Sequence, residues 1–282
     1  MPGILYVVAT PIGNLEDVTL RALRILREVA LIAAEDTRRT AKLLQHYSIS
    51  TPTTSLHEHN EHAKTPALIA RLGRGDSIAL VSDAGTPAVS DPGARLVAAA
   101  HLAGVAVQPV PGPSAVLAAV SASGLATEGF TFLGFPPNRA KARKSWLHGL
   151  ADHEFALVIY ESPHRIQATL TDIASELGDR TVAIGREMTK IHENLAVRPI
   201  ATWLKDPPPE QGEFVLVIFP SSGAEATNAD ARDPRLLARE FWHVTKTEAL
   251  GRREALRQVA RRFGVSTRTV FAAVEAHPES VE

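Results

Sequence analysis

No cysteine occurs among the 282 residues, which removes disulfides, thiolate zinc sites and cysteine nucleophiles from consideration. Aromatic residues are scarce, at 5%, and the apolar mass is mostly Ala, Val, Leu and Ile. That favours helices packed on aliphatic strands over an aromatic-rich β sandwich. No uninterrupted apolar run reaches the ~18 residues that a membrane span requires, so no membrane partner is expected. Met1-Pro2-Gly3 leads straight into Ile4-Leu5-Tyr6-Val7-Val8 without a basic stretch. This argues against a cleaved export signal, and a cytoplasmic protein is the expectation. Two phosphate-binding signatures are missing as well. There is neither Gly-x-x-x-x-Gly-Lys-Ser/Thr nor Gly-x-Gly-x-x-Gly, so nucleoside triphosphate and dinucleotide chemistry are not expected.

What is present suits a globular chain of two domains: 45% hydrophobic and 22% charged residues over a length too great for one average domain. The net charge of −1 hides an asymmetry. Residues 235–270 hold nine Arg or Lys against three Glu, a local +6 that leaves −7 elsewhere. Arg139, Lys141, Arg143 and Lys144 form a second basic cluster after a Pro-Pro turn. Such excess attracts phosphate backbones, although a solvated helix face is the competing reading of each cluster.

Short aliphatic runs at residues 5–9, 31–34, 78–81 and 105–110 read as buried strands, and helical periodicity fills residues 15–29 and 92–103. Asp91-Pro92 suits the start of the second helix, with the Asp91 carboxylate capping free amides. The alternation predicts an α/β domain with a mainly parallel sheet over residues 1–122. A second α/β domain is expected at 123–220, with strands at 130–135, 155–160, 181–185 and 214–219 and a helix from Ser162-Pro163 to about residue 177. Residues 221–234 read as a flexible linker. Residues 235–282 read as a small basic helical tail resembling a helix-turn-helix, with Gly264 at the turn and Ser266 capping the second helix.

Three loops carry the chemistry. They are Thr10-Pro11-Ile12-Gly13-Asn14, Ser82-Asp83-Ala84-Gly85-Thr86-Pro87 and Pro111-Gly112-Pro113-Ser114-Ala115, each following a predicted strand. In an open α/β sheet the carboxyl edge of the strands is where ligands bind. Glycine lets a ligand approach the main chain, Thr86 and Ser114 offer hydroxyls, and Asp83 suits a ribose hydroxyl or an ammonium group. One such loop would be read as a tight turn; three at one edge point to a ligand. Leu56-His57-Glu58-His59-Asn60 has the look of a metal site but lacks a second ligand cluster, so no metal is expected.

Taken in order, Ala9-Thr10-Pro11-Ile12-Gly13-Asn14-Leu15, Ala34-Glu35-Asp36-Thr37-Arg38, the run from Ser82 to Gly93, and residues 111–115 resemble the tetrapyrrole-methylase superfamily. Tyr160-Glu161-Ser162-Pro163-His164-Arg165 and Gly185-Arg186-Glu187-Met188-Thr189-Lys190 narrow the resemblance. They point to the branch that methylates a cytidine 2′-hydroxyl in small-subunit (16S) ribosomal RNA. The likeness covers roughly residues 4–220. It implies two α/β domains, a homodimer, and S-adenosyl-L-methionine held in the cleft between the domains, with 16S ribosomal RNA or the 30S subunit as partner. By that resemblance, Pro11, Gly13, Asp83, Thr86, Val89, Ser114, Ala115, Tyr160, Glu161 and Glu213 bind the donor, Gly212 and Phe214 lying beside them. Arg38, Arg139, Lys141, Arg143, Lys144 and Arg165 are expected to face RNA.

The sulfonium donor arrives activated, so the reaction needs alignment and a group to take the hydroxyl proton. Glu35, Asp36 and Lys190 are placed first for that task, with His57, His59 and Glu187 as further candidates. A porphyrin-type methylase would explain the loops but not the basic clusters. A non-enzymatic nucleic-acid binder would explain the clusters but not the loops.

Overall fold

The computed structural model describes residues 2–125, 129–151, 153–220, 234–247, 250–263 and 265–277. The chain divides into two compact units: Met1–Ala151 with Phe155–Ile218, and Phe219–Glu282 with Asp152–Glu154. The expected linker and Gly264 lie outside the described residues.

The first unit opens with β1 (Ile4–Val8), α1 (Leu20–Glu28), β2 (Leu31–Ala34), α2 (Thr37–His46), β3 (Thr53–Ser55), α3 (Glu61–Gly73), β4 (Ile78–Val81), α4 (Ala94–Leu102), β5 (Ala106–Val110) and α5 (Ala115–Ala122). The five strands form an all-parallel sheet in the order β3-β2-β4-β1-β5. Alternate side chains feed two cores. Ile32, Ala34, Ala79 and Val81 pack under α1 and α2 with Leu26 and Leu43. Leu31, Ala33, Ile78 and Leu80 pack under α3 and α4 with Leu72 and Leu96. This two-sided burial is why β2 and β4 read as unbroken apolar runs.

Two expectations are corrected here. The helix expected at residues 15–29 is a 3₁₀ turn at Leu15–Asp17 followed by α1, because Thr19 is extended and its side chain accepts the Ala22 amide proton at 3.1 Å. Asp91 does not cap the next helix. Gly93, at φ 121°, takes the cap position of α4. The free amides of Arg95 and Leu96 instead donate to Glu61 Oε1 from α3, at 2.9 and 3.2 Å.

The same unit continues with β6 (Phe130–Phe132), α6 (Ala140–His148), β7 (Ala156–Glu161), α7 (Ile166–Leu177), β8 (Thr181–Arg186), β9 (Asn194–Pro199), α8 (Ile200–Lys205) and β10 (Phe214–Ile218). Its sheet runs β6-β7-β10-β8-β9. β10 is antiparallel to both β7 and β8, and only β6–β7 is parallel. The strands β3 and β9 escape a hydrophobicity scan because each is a half-exposed edge. α6, α7 and α8 cover one face through Leu147, Ile166, Leu170 and Trp203. α5 packs on the other, against β8 and β10.

The second unit is built on α9 (Pro234–Thr247), α10 (Arg252–Phe263) and α11 (Thr267–Ala276). Leu237, Phe241, Val244, Val259, Val270 and Val274 form a core of their own, with the expected Leu256, Phe263 and Val265 at its margin. Ser266 caps α11 as expected, accepting from the Thr269 amide at 3.0 Å. The same three helices therefore present their charged residues around a separate apolar centre.

Candidate active site

The three glycine-rich loops follow β1, β4 and β5, which are adjacent in the parallel sheet. The first two are stitched together. Thr10 N donates to Gly85 O at 2.9 Å, Gly85 N returns a bond to Thr10 O at 3.0 Å, and Thr10 Oγ1 donates to Ser82 O at 3.2 Å. Gly112 needs to be glycine because a Cβ there would stand 3.0 Å from that of Ala9. The loop from Ser82 to Gly93 is bent sharply, with Ala88 and Ser90 at φ 65° and 63° in the left-handed region.

These loops and the facing ends of β7 and β10 enclose a cavity of about 320 Å³. Ile12, Gly85, Thr86, Val89, Ser90, Asp91, Ser114 and Ala115 line it from the first sheet. Phe135, Tyr160, Glu161, Ser162, Pro163, Met188, Glu213, Phe214 and Val215 line it from the second. The walls are mostly apolar, and the lining holds three carboxylates and no Lys, Arg or His. Phe132, Tyr160 and Phe135 form a ring series at 5.0 and 5.4 Å between centroids. A site of this make-up accepts a cation carrying apolar bulk, since carboxylates and aromatic faces both attract positive charge.

Two of the three carboxylates are already partnered. The Glu161 side chain, with no solvent exposure, accepts from Arg165 Nε at 2.8 Å, Ser162 N at 2.7 Å and Thr169 Oγ1 at 2.6 Å. Glu213 pairs with Lys190 Nζ at 2.9 Å. Asp91 has no cationic partner among the described residues. Burial, then the charge of Glu35, pushes its pKa up to about 6, against a lowering hydrogen bond from Ser82, and Asp83 adds to the rise. Burial, and next the Asp91 charge, also pushes the Tyr160 phenol up.

Of the residues expected to bind the donor, Thr86, Val89, Ser114, Ala115, Tyr160, Glu161 and Glu213 come together around this cavity, and Phe214 with them. Pro11, Gly13 and Asp83 do not line it. Asp83 turns to the neighbouring strand end. Its Oδ1 accepts the Asp36 amide at 3.0 Å, its Oδ2 pairs with Arg39 at 3.2 Å, and its own amide donates to Glu35 Oε2 at 3.1 Å. Gly13 serves close packing, because a Cβ there would stand 2.3 Å from Lys190 Cγ. Asn14 N donates to Thr189 Oγ1 at 3.2 Å, so the first loop is tied to the turn after β8.

The residues expected to take a proton fare differently. Arg38 hydrogen-bonds the Asp36 carboxylate through its side chain and backbone, holding it well below the usual carboxylate range. Asp36 also caps α2. Lys190 Nζ lies 2.9 Å from both Glu187 Oε1 and Glu213 Oε2. Burial works against its charge, but those bonds outweigh it and raise its pKa, so Lys190 stays protonated. The same contact lowers Glu187. His57 hydrogen-bonds Asn60 at 2.9 Å outside the cavity lining.

Two RNA assignments require correction. Arg143, expected to face RNA, is turned inward on α6: its side chain is 5% exposed and pairs with Asp172 of α7 at 2.7 Å. Arg165 is occupied by Glu161 and by Pro136 O and Asn138 Oδ1, which pins the turn before α6. Arg139, Lys141 and Lys144 are exposed, as is Arg38. Charge counting along the sequence cannot tell these cases apart, because the partner Asp172 lies 29 residues away.

Residues 4–203 match the family described as tetrapyrrole (corrin/porphyrin) methylases. The chain belongs to the tetrapyrrole methylase family. It is 45% identical over 274 residues to ribosomal RNA small subunit methyltransferase I of Synechocystis sp., covering 95% of this chain and 96% of that one. The protein of the same name from Vibrio cholerae is 51% identical, with 76% of each chain covered. Among solved structures, uroporphyrin III C-methyl transferase from Thermus thermophilus aligns with a TM-score of 0.57 at 17% identity, covering 77% of this chain and 97% of the other. Diphthine synthase aligns with a TM-score of 0.60 at 14% identity, over 77% and 90% of the two chains. These structures share the methylase fold. The methylase cavity takes two of its lining residues from signals the sequence carried without singling them out. Ile12 stands inside the first loop, and Asp91 inside the Ser82 to Gly93 run.

Proposed function

We propose that this methyltransferase uses S-adenosyl-L-methionine to methylate the 2′-hydroxyl of a cytidine in 16S ribosomal RNA, acting in the cytoplasm as a homodimer. The observation that carries the donor is the cavity itself: apolar, aromatic on one side, and lined by acids alone. A sulfonium with an adenosyl group and an amino acid head fits that chemistry, and a polyanionic cofactor does not. Thr86, Val89, Ser114, Ala115, Tyr160, Glu161 and Glu213 hold it. Residues 1–122 supply the glycine-rich half of the cleft and 123–220 the facing half. The bound donor supplies an activated methyl group, so the chain contributes orientation, exclusion of water and a place for the acceptor proton. The RNA reading is supported by the names of relatives that align over nearly their whole length. The exposed Arg38, Arg139, Lys141 and Lys144 and the basic helical unit at residues 235–282 are suited to phosphate.

Calorimetry with S-adenosylmethionine and its demethylated product tests the first half. Transfer of a labelled methyl to undermethylated 30S subunits, with a porphyrin as control, tests the second. Digestion to nucleosides then assigns the methyl to ribose or base. Transfer to porphyrin alone, or no donor binding, would remove the reading.

A further inference from the structure

We propose that Asp91 is the catalytic residue that accepts the proton of the acceptor hydroxyl. The inference rests on the 2′-hydroxyl reading above and adds to it the group that performs the proton transfer.

The geometry selects Asp91 by what surrounds it. Its sequence position before Pro92 suits a helix cap, yet Gly93 and Glu61 perform that role for α4. The Asp91 carboxylate is thereby released to line the donor cavity. The left-handed backbone of Ala88, Ser90 and Gly93 holds the loop that presents it. Strain of this kind persists where the surrounding structure enforces it, and it gathers at sites of function.

The other acids near the cleft are spent. Glu161 is saturated by Arg165, Ser162 and Thr169, and Glu213 by Lys190. Asp36 is held by Arg38, and Asp83 by Arg39 and the Asp36 amide. A proton acceptor needs a free lone pair inside the site and appreciable basicity. Among the described residues of the cavity only Asp91 combines a carboxylate with no cationic partner.

The groups acting on it come from three directions: Glu35 at the end of β2, Ser82 and Asp83 after β4, and Tyr160 on β7. The two neighbouring carboxylates and partial burial raise its proton affinity, to a pKa of about 6. At neutral pH it is ionised and able to receive a proton. In the step, the ribose oxygen forms a bond to the methyl carbon while the carbon–sulfur bond breaks, its electron pair passing to sulfur. The sulfonium becomes a neutral thioether, and the hydroxyl proton moves to an Asp91 carboxylate oxygen.

The test uses the full chain with undermethylated 30S subunits. Asp91→Asn should lower the single-turnover rate by about 10²–10⁴-fold, leave donor affinity by calorimetry within about threefold, and abolish the acidic limb of the pH–rate profile. Glu35→Gln removes a charge that raises the Asp91 pKa, so its acidic limb should move to lower pH. Independently of turnover, carboxyl difference infrared spectra of the apo protein should show a group titrating near pH 6 that disappears in Asp91→Asn. A variant that keeps its rate, or that loses donor affinity while keeping its rate at saturation, overturns the assignment. So does an acidic limb unmoved by Glu35→Gln, which covers the case of an Asp91→Asn chain that does not fold. If wild-type product carries the methyl on the base, the functional reading itself falls. A ribose methyl made by an active Asp91→Asn enzyme refutes the proton acceptor alone.

Discussion

Asp91 carries a stability signature as well as a chemical one. Its pKa in the folded chain, about 6, stands above the ordinary 3.8. Folding therefore strengthens proton binding there. The stability this contributes is complete below about pH 4 and is lost as pH rises through 6. At neutral pH the ionised carboxylate is a burden of about 1–2 kcal/mol, discounted because the group is only half-buried. Asp91→Asn should thus raise the urea-unfolding free energy at pH 7.5 by that amount and lose the advantage near pH 4. Arg143 is the opposite case. Replacing it by alanine leaves Asp172 buried with only Lys144, 3.7 Å away, for company. A loss of about 3 kcal/mol in urea unfolding is expected, with the salt dependence of RNA binding unchanged. The sequence placed both residues in suggestive contexts and misassigned each. A cap and a ligand-facing carboxylate look alike along a chain, as do a buried and a solvated arginine.

Among the elements, α4 depends on another helix for its start. Glu61 from α3 accepts both the Arg95 and Leu96 amides. Removing the carboxylate by Glu61→Ala should cost about 1 kcal/mol in thermal or urea unfolding, the usual worth of a cap. Because α4 anchors the loop that ends at Gly93, the same variant should raise the donor Kd in calorimetry several-fold. Gly93→Ala would be harsher: its φ is 121° and a Cβ would stand 2.6 Å from Leu80 Cδ2. The strands β1, β2, β4 and β5 were legible because parallel, doubly covered strands are continuous apolar runs. β3 and β9 were not, since edge strands alternate weakly, and the antiparallel placement of β10 depends on pairings far apart in sequence.

For the whole molecule, the helical unit with its own core is separable in principle from the unit that holds the cavity. Truncation after Pro220 should leave donor affinity intact and raise KM for 30S subunits with similar kcat, since uniform binding energy is lost. The slope of log affinity against log salt should flatten as the phosphate contacts of that unit disappear. Full-efficiency methylation by the truncated chain would reduce the basic residues to a solubilising face.

Local chemistry alone determined the α/β class, the three glycine-rich loops, the helical unit at the end and most residues around the donor. Strand hydrophobicity, glycine and proline are read within a few positions of where they act. Only the tertiary structure decided which charges are free. Lys190 is neutralised by Glu187 and Glu213, Asp83 is drawn to Arg39, Arg143 is drawn inward by Asp172, and Asp91 alone is left facing the cavity. A side chain's charge state and reach depend on partners that lie up to dozens of residues away, and sequence spacing does not encode those distances.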